Sequence, residues 1–243
     1  MRTIAILLVV LLAACAGPKQ QDLADRPPGL AVAQAALTGG APGVALQICT
    51  DTAQREPKNL AAQICQGDAL TALGRQADAQ VSFERAQAMA PDNAGVLMGL
   101  GRLRLGTDPL GAEALFVHVL KVDPNNALAW NDIGIARDLQ GRHQEAQEAY
   151  ARALGIDPSM RAAEVNLALS MAMSGRADEA VRRLRRIASD PSASPRLRQD
   201  LAAALAMANQ PDEAAKLMRG DLSAEEIDQA IAAYHALSAA PTN

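Results

Sequence analysis

The chain has 243 residues, of which 49% are hydrophobic, 2% aromatic and 21% charged; its formal charge is −4 and its pI is near 5.4. That balance argues against nucleic acid as a main partner, which calls for a basic face. With so few aromatics, any core must be built from alanine, leucine and other small side chains, a composition suited to alanine-rich helix pairs.

The first fifteen residues, MRTIAILLVVLLAAC, carry one positive charge at Arg2, an apolar run from Ile4 to Leu12 and small residues before Cys15. The pattern is that of a secretory signal, too short to span a bilayer as a mature helix. Leu12-Ala13-Ala14-Cys15 also resembles a bacterial lipobox, in which the cysteine is acylated and the peptide before it removed. Two readings stand: residues 1–14 are a lipoprotein signal and Cys15 is lipidated, or the signal is an ordinary one beside a chance cysteine. Two or more acyl chains hold a protein stably on a bilayer. By resemblance to diderm bacterial lipoproteins, Ala16 after the cysteine points to the outer membrane, facing the periplasm. Residues 15–28 read as the lipidated Cys15 and a flexible tether, with a reach of about 45 Å at roughly 3.5 Å per residue.

Residues 29–59 form a degenerate helix-turn-helix unit in which Ala33, Gly40, Ala45, Cys49 and Pro57 keep a loose beat. Five regular units follow over residues 60–228: Leu60 to Asn93, Ala94 to Asn126, Ala127 to Met160, Arg161 to Ser194, and Pro195 to about Asp228. A small residue recurs at Gly67, Gly101, Gly134, Ala168 and Ala202, and alanine at Ala79, Ala112, Ala146, Ala180 and Ala214, at intervals of 34 or 33 residues. A bulky residue follows each alanine of the second series by four, at Phe83, Phe116, Tyr150, Leu184 and Met218. Small residues let two antiparallel helices approach, and the bulky one fills the space beside them. Gly74, Gly141, Gly175 and Asn209 fall at the turn between helices, where a positive φ is often needed, and Pro91, Pro124 and Pro158 end the second helix of three units. Between Gly101 and Ala112 one residue is missing, near Thr107-Asp108-Pro109. Past the last repeat, Ser223 before Ala224-Glu225-Glu226 is a helix-start signal, and residues 223–239 are expected to cap the array through Ile227, Ile231, Tyr234 and Leu237.

These positions resemble the tetratricopeptide repeat: Trp130, Ile133, Gly134, Ala146, Tyr150, Ala153 and Pro158 match that family's pattern, with Arg137 a departure. The resemblance implies an all-α superhelical solenoid of about five to six helix pairs and a C-terminal capping helix. It also implies a concave groove lined by first-helix residues. By repeat position these would be Ile64, Asp68, Met98, Arg102, Asn131, Ile135, Asp138, Val165, Asn166 and Leu169, suited to a helix or an extended segment of a protein partner.

Nothing points to an enzyme. Phe83, Phe116, Trp130 and Tyr150 sit at repeat core positions. His118, His143 and His235 lie in different units at no metal-ligand spacing, beside no evident nucleophile or carboxylate, and there is no glycine-rich phosphate loop. No cofactor, metal or small-molecule substrate is expected. Cys49 and Cys65 are either a disulfide stapling the degenerate unit to its neighbour or two small buried hydrophobes. Arg182, Arg183, Arg185 and Arg186 read as a solvated outer face, with docking of an acidic partner or anionic lipid as the sharper alternative.

The run from Val165 to Leu237 carries a closer likeness. SPRLRQDLAAALAM, QPDEAAKL and RGDLSAEEI followed by a tyrosine-containing helix resemble the C-terminal part of the TadD family, tetratricopeptide lipoproteins of tight adherence (Flp) pilus machines. His235 and Ala233 depart from that tail. The resemblance implies an adaptor that helps the secretin channel form or stay in place. The alternative is a general envelope scaffold that recruits other periplasmic proteins.

Overall fold

The computed structural model describes residues 28–189 and 194–238, so the signal segment, Cys15 and most of the tether lie outside the described residues. Thirteen helices and no β-strand occur among the described residues. Contacts divide the chain into two compact units between Ile133 and Gly134.

The first unit holds α1 (Pro28–Thr38), α2 (Pro42–Arg55), α3 (Leu60–Ala72), α4 (Gln76–Met89), α5 (Ala94–Arg104), α6 (Pro109–Val122) and the start of α7 (Ala127–Leu139). Helices α1 to α6 pack in succession, and α3 also packs on α1 and α5. The second unit holds the end of α7, α8 (His143–Ile156), α9 (Arg161–Met173), α10 (Ala177–Ala188), α11 (Pro195–Met207), α12 (Pro211–Met218) and α13 (Ala224–Ser238). Here α8 to α12 pack in succession and α11 also rests on α9.

The two residue ladders meet in the core. Ala79, Ala112, Ala146, Ala180 and Ala214 are all 0% exposed, and the bulky partners Phe83, Phe116, Tyr150, Leu184 and Met218 are all buried. In the first unit the Phe83 ring lies against Gly67, where an added Cβ would come within 2.7 Å of it, and against Gly99 of α5. Phe116 covers Gly101 in the same way, and in the second unit Tyr150 covers Gly134. A side chain at any of these glycines would occupy the volume of the ring, and cores filled to crystal density have no spare volume.

Turn geometry repeats with the ladders. Gly74 has φ 73°, Gly141 75° and Gly175 85°, and Asn209 supplies the same left-handed conformation at 58°. The amide after each reaches back to a helix carbonyl: Arg75 N to Leu70 O at 2.9 Å, Arg142 N to Arg137 O at 2.9 Å, Arg176 N to Met171 O at 2.8 Å and Gln210 N to Leu205 O at 2.9 Å. These bonds satisfy carbonyls that a helix end leaves open. The shortened unit lacks such a turn and instead starts α6 with Asp108, whose side chain accepts from Gly111 N at 2.9 Å. Three first helices, α3, α5 and α7, begin on an asparagine: Asn59 accepts from Ala62 N, Asn93 from Val96 N and Asn126 from Ala129 N.

Trp130 differs from its expected core role. It is half-buried, and its Nε1 donates to Pro124 O at 3.1 Å, so it braces the turn before α7 rather than filling the core.

Replacing Gly134 with alanine is expected to destabilise the chain by about 1–3 kcal/mol, the usual cost of overpacking. Gly155 of α8 has open space around its Cβ position, so Gly155→Ala is expected to be stabilising by roughly 0.5–1 kcal/mol. Urea denaturation of the two variants checks this contrast, and equal effects would contradict the packing account.

Candidate functional site

The first-helix positions expected to line a groove divide into accessible and inaccessible sets. In the first unit Ile64, Asp68 and Arg102 are half-buried, while Met98 and Asn131 are buried. Arg102 Nε donates to Asp132 Oδ2 at 2.7 Å, and Asn131 Nδ2 donates to Asp132 Oδ1 at 3.1 Å, so the guanidinium and the amide converge on one buried carboxylate. In the second unit Val165 and Asn166 are half-buried, whereas Ile135, Asp138 and Leu169 are buried. Met98, Asn131, Ile135, Asp138 and Leu169 therefore offer a partner little surface.

Asp138 is the clearest correction. Its side chain is 1% exposed, accepts hydrogen bonds from Tyr150 Oη at 2.8 Å and Ser170 Oγ at 2.7 Å, and lies 2.8 Å from His143 Nδ1. The carboxylate thus ties the end of α7 to α8 and α9. Burial pushes its pKa above the usual carboxylate range, against the pull of the hydrogen bonds from His143, Ser170 and Tyr150. Gln147 extends the network, donating from Nε2 to Ser174 Oγ at 3.0 Å and accepting at Oε1 from Arg176.

Although serine, histidine and aspartate meet here, their arrangement is not that of an activated nucleophile. Ser170 Oγ gives its proton to Asp138, not to the imidazole, and is fully buried. The cluster is a fastening. His143 has no carboxylate beside it in sequence; the turn at Gly141 brings it back onto Asp138, five positions earlier. His118 Nε2 likewise lies 3.2 Å from Asp92 Oδ1, on an exposed surface. Among the described residues no group of three or more His, Cys, Asp or Glu is placed to hold a metal ion, and no helix is long and apolar enough to cross a membrane.

The arginine stretch of α10 is balanced by carboxylates. Arg183 Nε is 3.4 Å from Glu179 Oε1, Arg185 reaches Glu213 of α12 at 2.5 Å, and Arg186 reaches Glu164 of α9 at 2.9 Å. Arg182 is exposed. Exposed pairs of this kind are worth about 0–1 kcal/mol each, so their main effect is to offset local charge. That arrangement favours a solvated outer face over an open cationic patch.

Cys49 of α2 and Cys65 of α3 are joined through their sulfurs, with Cα atoms 5.8 Å apart. The link fastens the terminal hairpin to the first regular one.

Models of the tetratricopeptide repeat match residues 106–161 and 139–190, so the repeats across that stretch are tetratricopeptide repeats. No curated protein sequence matches the chain. Among solved structures, a thermophilic tetratricopeptide protein of Thermus thermophilus aligns with TM-score 0.66 and 20% identity, covering 73% of this chain and 97% of that one. A tetratricopeptide repeat protein of Parabacteroides merdae aligns with TM-score 0.66 and 16% identity, covering 85% and 83%. PilW, a widely conserved type IV pilus biogenesis factor, aligns with TM-score 0.67 and 21% identity, covering 82% and 95%. At these identities the likeness shows the fold: an all-α tetratricopeptide architecture.

Two measurements probe these fastenings. A carboxyl whose pKa is raised by folding loses stability on ionising; its contribution is complete below the unfolded value and gone above the folded one. Wild type is therefore expected to lose stability relative to Asp138→Asn as pH rises through and above the ordinary carboxylate range, measured by urea titration, and the opposite slope would contradict a desolvated carboxyl. For the cysteines, alkylation before and after reduction is expected to label Cys49 and Cys65 only after reduction, with a stability loss of roughly 3 kcal/mol. Labelling without reductant would return them to the reading as small buried hydrophobes.

Proposed function

We propose that this chain is an outer-membrane-anchored adaptor of a tight adherence (Flp) pilus machine, held to lipid by acylated Cys15 and supporting the assembly or stability of the secretin. The reading is carried by the run from Val165 to Leu237, whose likeness to the TadD family covers the span that folds as α9 to α13. Leu12-Ala13-Ala14-Cys15 supplies the lipobox-like element such an adaptor needs. The fold shared with PilW is compatible with a pilus role but does not distinguish it from other uses of the repeat.

The physical requirements are modest. A tetratricopeptide array presents side chains from successive helices to another protein, and no bond need be made or broken. A lipid anchor confines the array to one surface and raises its local concentration beside a membrane-embedded partner. Such a protein works as a protein–protein interaction scaffold rather than as a catalyst. The coarser alternative keeps the anchor and the repeats but recruits other envelope proteins, and likenesses at 16–21% identity are compatible with it too.

Deleting the gene separates the two readings. The adaptor reading expects fewer secretin multimers in the outer membrane and fewer surface fibres, both restored by wild type. It also expects Cys15→Ser to leave the membrane fraction and to restore neither. Unchanged secretin multimers and fibres in the deletion strain would reject the pilus role.

A further inference from the structure

The C-terminal end of the second unit departs from the repeat. Helix α12 has 8 residues, where α2, α4, α6 and α8 each have 14. It stops at Met218, the bulky seam residue, so the chain leaves the repeat as soon as the seam is filled. Gly220, at φ 106°, then redirects the backbone, and Arg219 and Leu222 form an isolated bridge. Only after this bend does α13 begin.

Helix α13 does more than continue the stack. It packs on α11 and α12, as the next helix of a repeat would, and also reaches back to α9. It therefore lies over the pair of first helices α9 and α11. Asp200 of α11 stands 34 residues after Asn166 of α9, one of the positions expected to meet a partner. A helix of the chain itself thus occupies ground that the repeat pattern assigns to a ligand.

Its hold is thin. Ile227 alone among the described side chains of α13 is buried; Ile231 and Tyr234 are half-buried and Leu237, expected to help cap the array, is 36% exposed. The helix beneath is packed far better, with nine buried residues in α11. Polar contacts supply much of the rest. Tyr234 lies close enough to Asp200 and Arg196 for both charges to act on its phenol, and His235 Nε2 bonds Asn209 Oδ1 at 3.1 Å. Asp200 is itself buried, with Arg196 Nε 3.4 Å away and partly exposed. A buried carboxylate is costly unless it is well matched, and a better-matched ligand would relieve that cost.

The helix is also self-sufficient at its start. Ser223 N donates to Glu226 Oε2 at 2.8 Å while Glu226 N donates to Ser223 Oγ at 3.4 Å, a reciprocal cap that needs nothing from α9 or α11. With a glycine bend just ahead, α13 can swing away without stranding its own amides.

We propose that α13 is a displaceable occupant of the α9–α11 face, and that this face docks a partner helix of the same chemistry. That helix would carry acidic residues in its first turn, as Glu225 and Glu226 do. Its apolar stripe would follow the i, i+4, i+7 spacing of Ile227, Ile231 and Tyr234, with a hydroxyl-bearing aromatic last. The proposal rests on the reading of the chain as a protein-binding adaptor. A tethered helix competes at an effective concentration on the order of millimolar, so only a partner that binds the open face well, or is itself concentrated at the membrane, displaces it.

The probe is a fluorescein-labelled synthetic peptide of residues 222–238, titrated against the full mature chain in detergent and against the same chain carrying Ile227→Ala and Tyr234→Ala. The double variant is expected to bind the peptide at least about tenfold more tightly than wild type, because its own helix competes less. In wild type, amides of α13 are expected to exchange with deuterium at least about tenfold faster than those of α11. Equal peptide affinity, equal protection of α13 and α11, or loss of helical circular dichroism in the double variant would each overturn the proposal, the last by making α13 a structural cap. Secretin multimers in the deletion strain are read separately, so failure of the docking proposal and failure of the adaptor reading are distinguishable.

Discussion

Phe83, Phe116 and Tyr150 reach across their hairpins to glycines, and most of the fold follows from that contact. A ring can come this near a helix backbone only where the helix has no side chain, which fixes Gly67, Gly101 and Gly134 on the first helices. The same closeness admits nothing larger than Ala79, Ala112 and Ala146 on the second. Two helices brought so near need a tight reversal between them, and Gly74 and Gly141 adopt the left-handed conformation that makes it. In the last two units the corresponding positions are Leu184 and Met218 with Ala168 and Ala202, all buried, so no aromatic ring faces a glycine there.

The seam also decides what is left for binding. It takes up Phe83, Phe116 and Tyr150, and with them the material for a stacking platform. Of the expected groove residues, Met98 and Asn131 in the first unit and Ile135, Asp138 and Leu169 in the second are buried. What a partner can reach is the remainder: Ile64, Asp68 and Arg102 in the first unit, Val165 and Asn166 in the second. Charge is distributed in the same way. Arg102 is engaged by Asp132, and three of the four arginines of α10 face Glu179, Glu213 and Glu164.

Features tied to the repeat period were readable in the sequence, because one physical requirement recurs at fixed spacing. The glycine and alanine ladders and the left-handed Asn209 are of this kind, while the start of α13 at Ser223 was readable from a local cap signal. Features that depend on a single unit were not. Asp138 looked like a groove residue because its repeat position is one. Its actual role comes from Ser170, 32 residues on, and from a histidine returned to it by the turn. Trp130 matched a family position, yet its indole nitrogen is drawn to the carbonyl of Pro124 and away from the core. The asparagine caps at Asn59, Asn93 and Asn126 carried a periodic signal in plain view, at the same 34- and 33-residue spacing, overshadowed by the prolines two residues before each. The shortness of α12 had no such signal, since helix length at a terminus is set by what the following segment covers.

In each unit the seam is buried, and the account stands on whether the half-buried first-helix positions are the ones a partner meets. Site-specific photocrosslinking in intact cells tests it directly, with the crosslinker placed in turn at Ile64 and Val165 on first helices and at Glu84 and Arg152 on exposed positions of α4 and α8. Protein adducts in the outer-membrane fraction that form from Ile64 or Val165, and not from Glu84 or Arg152, are the predicted result. The same adducts from all four positions, or adducts from Glu84 and Arg152 alone, would contradict it.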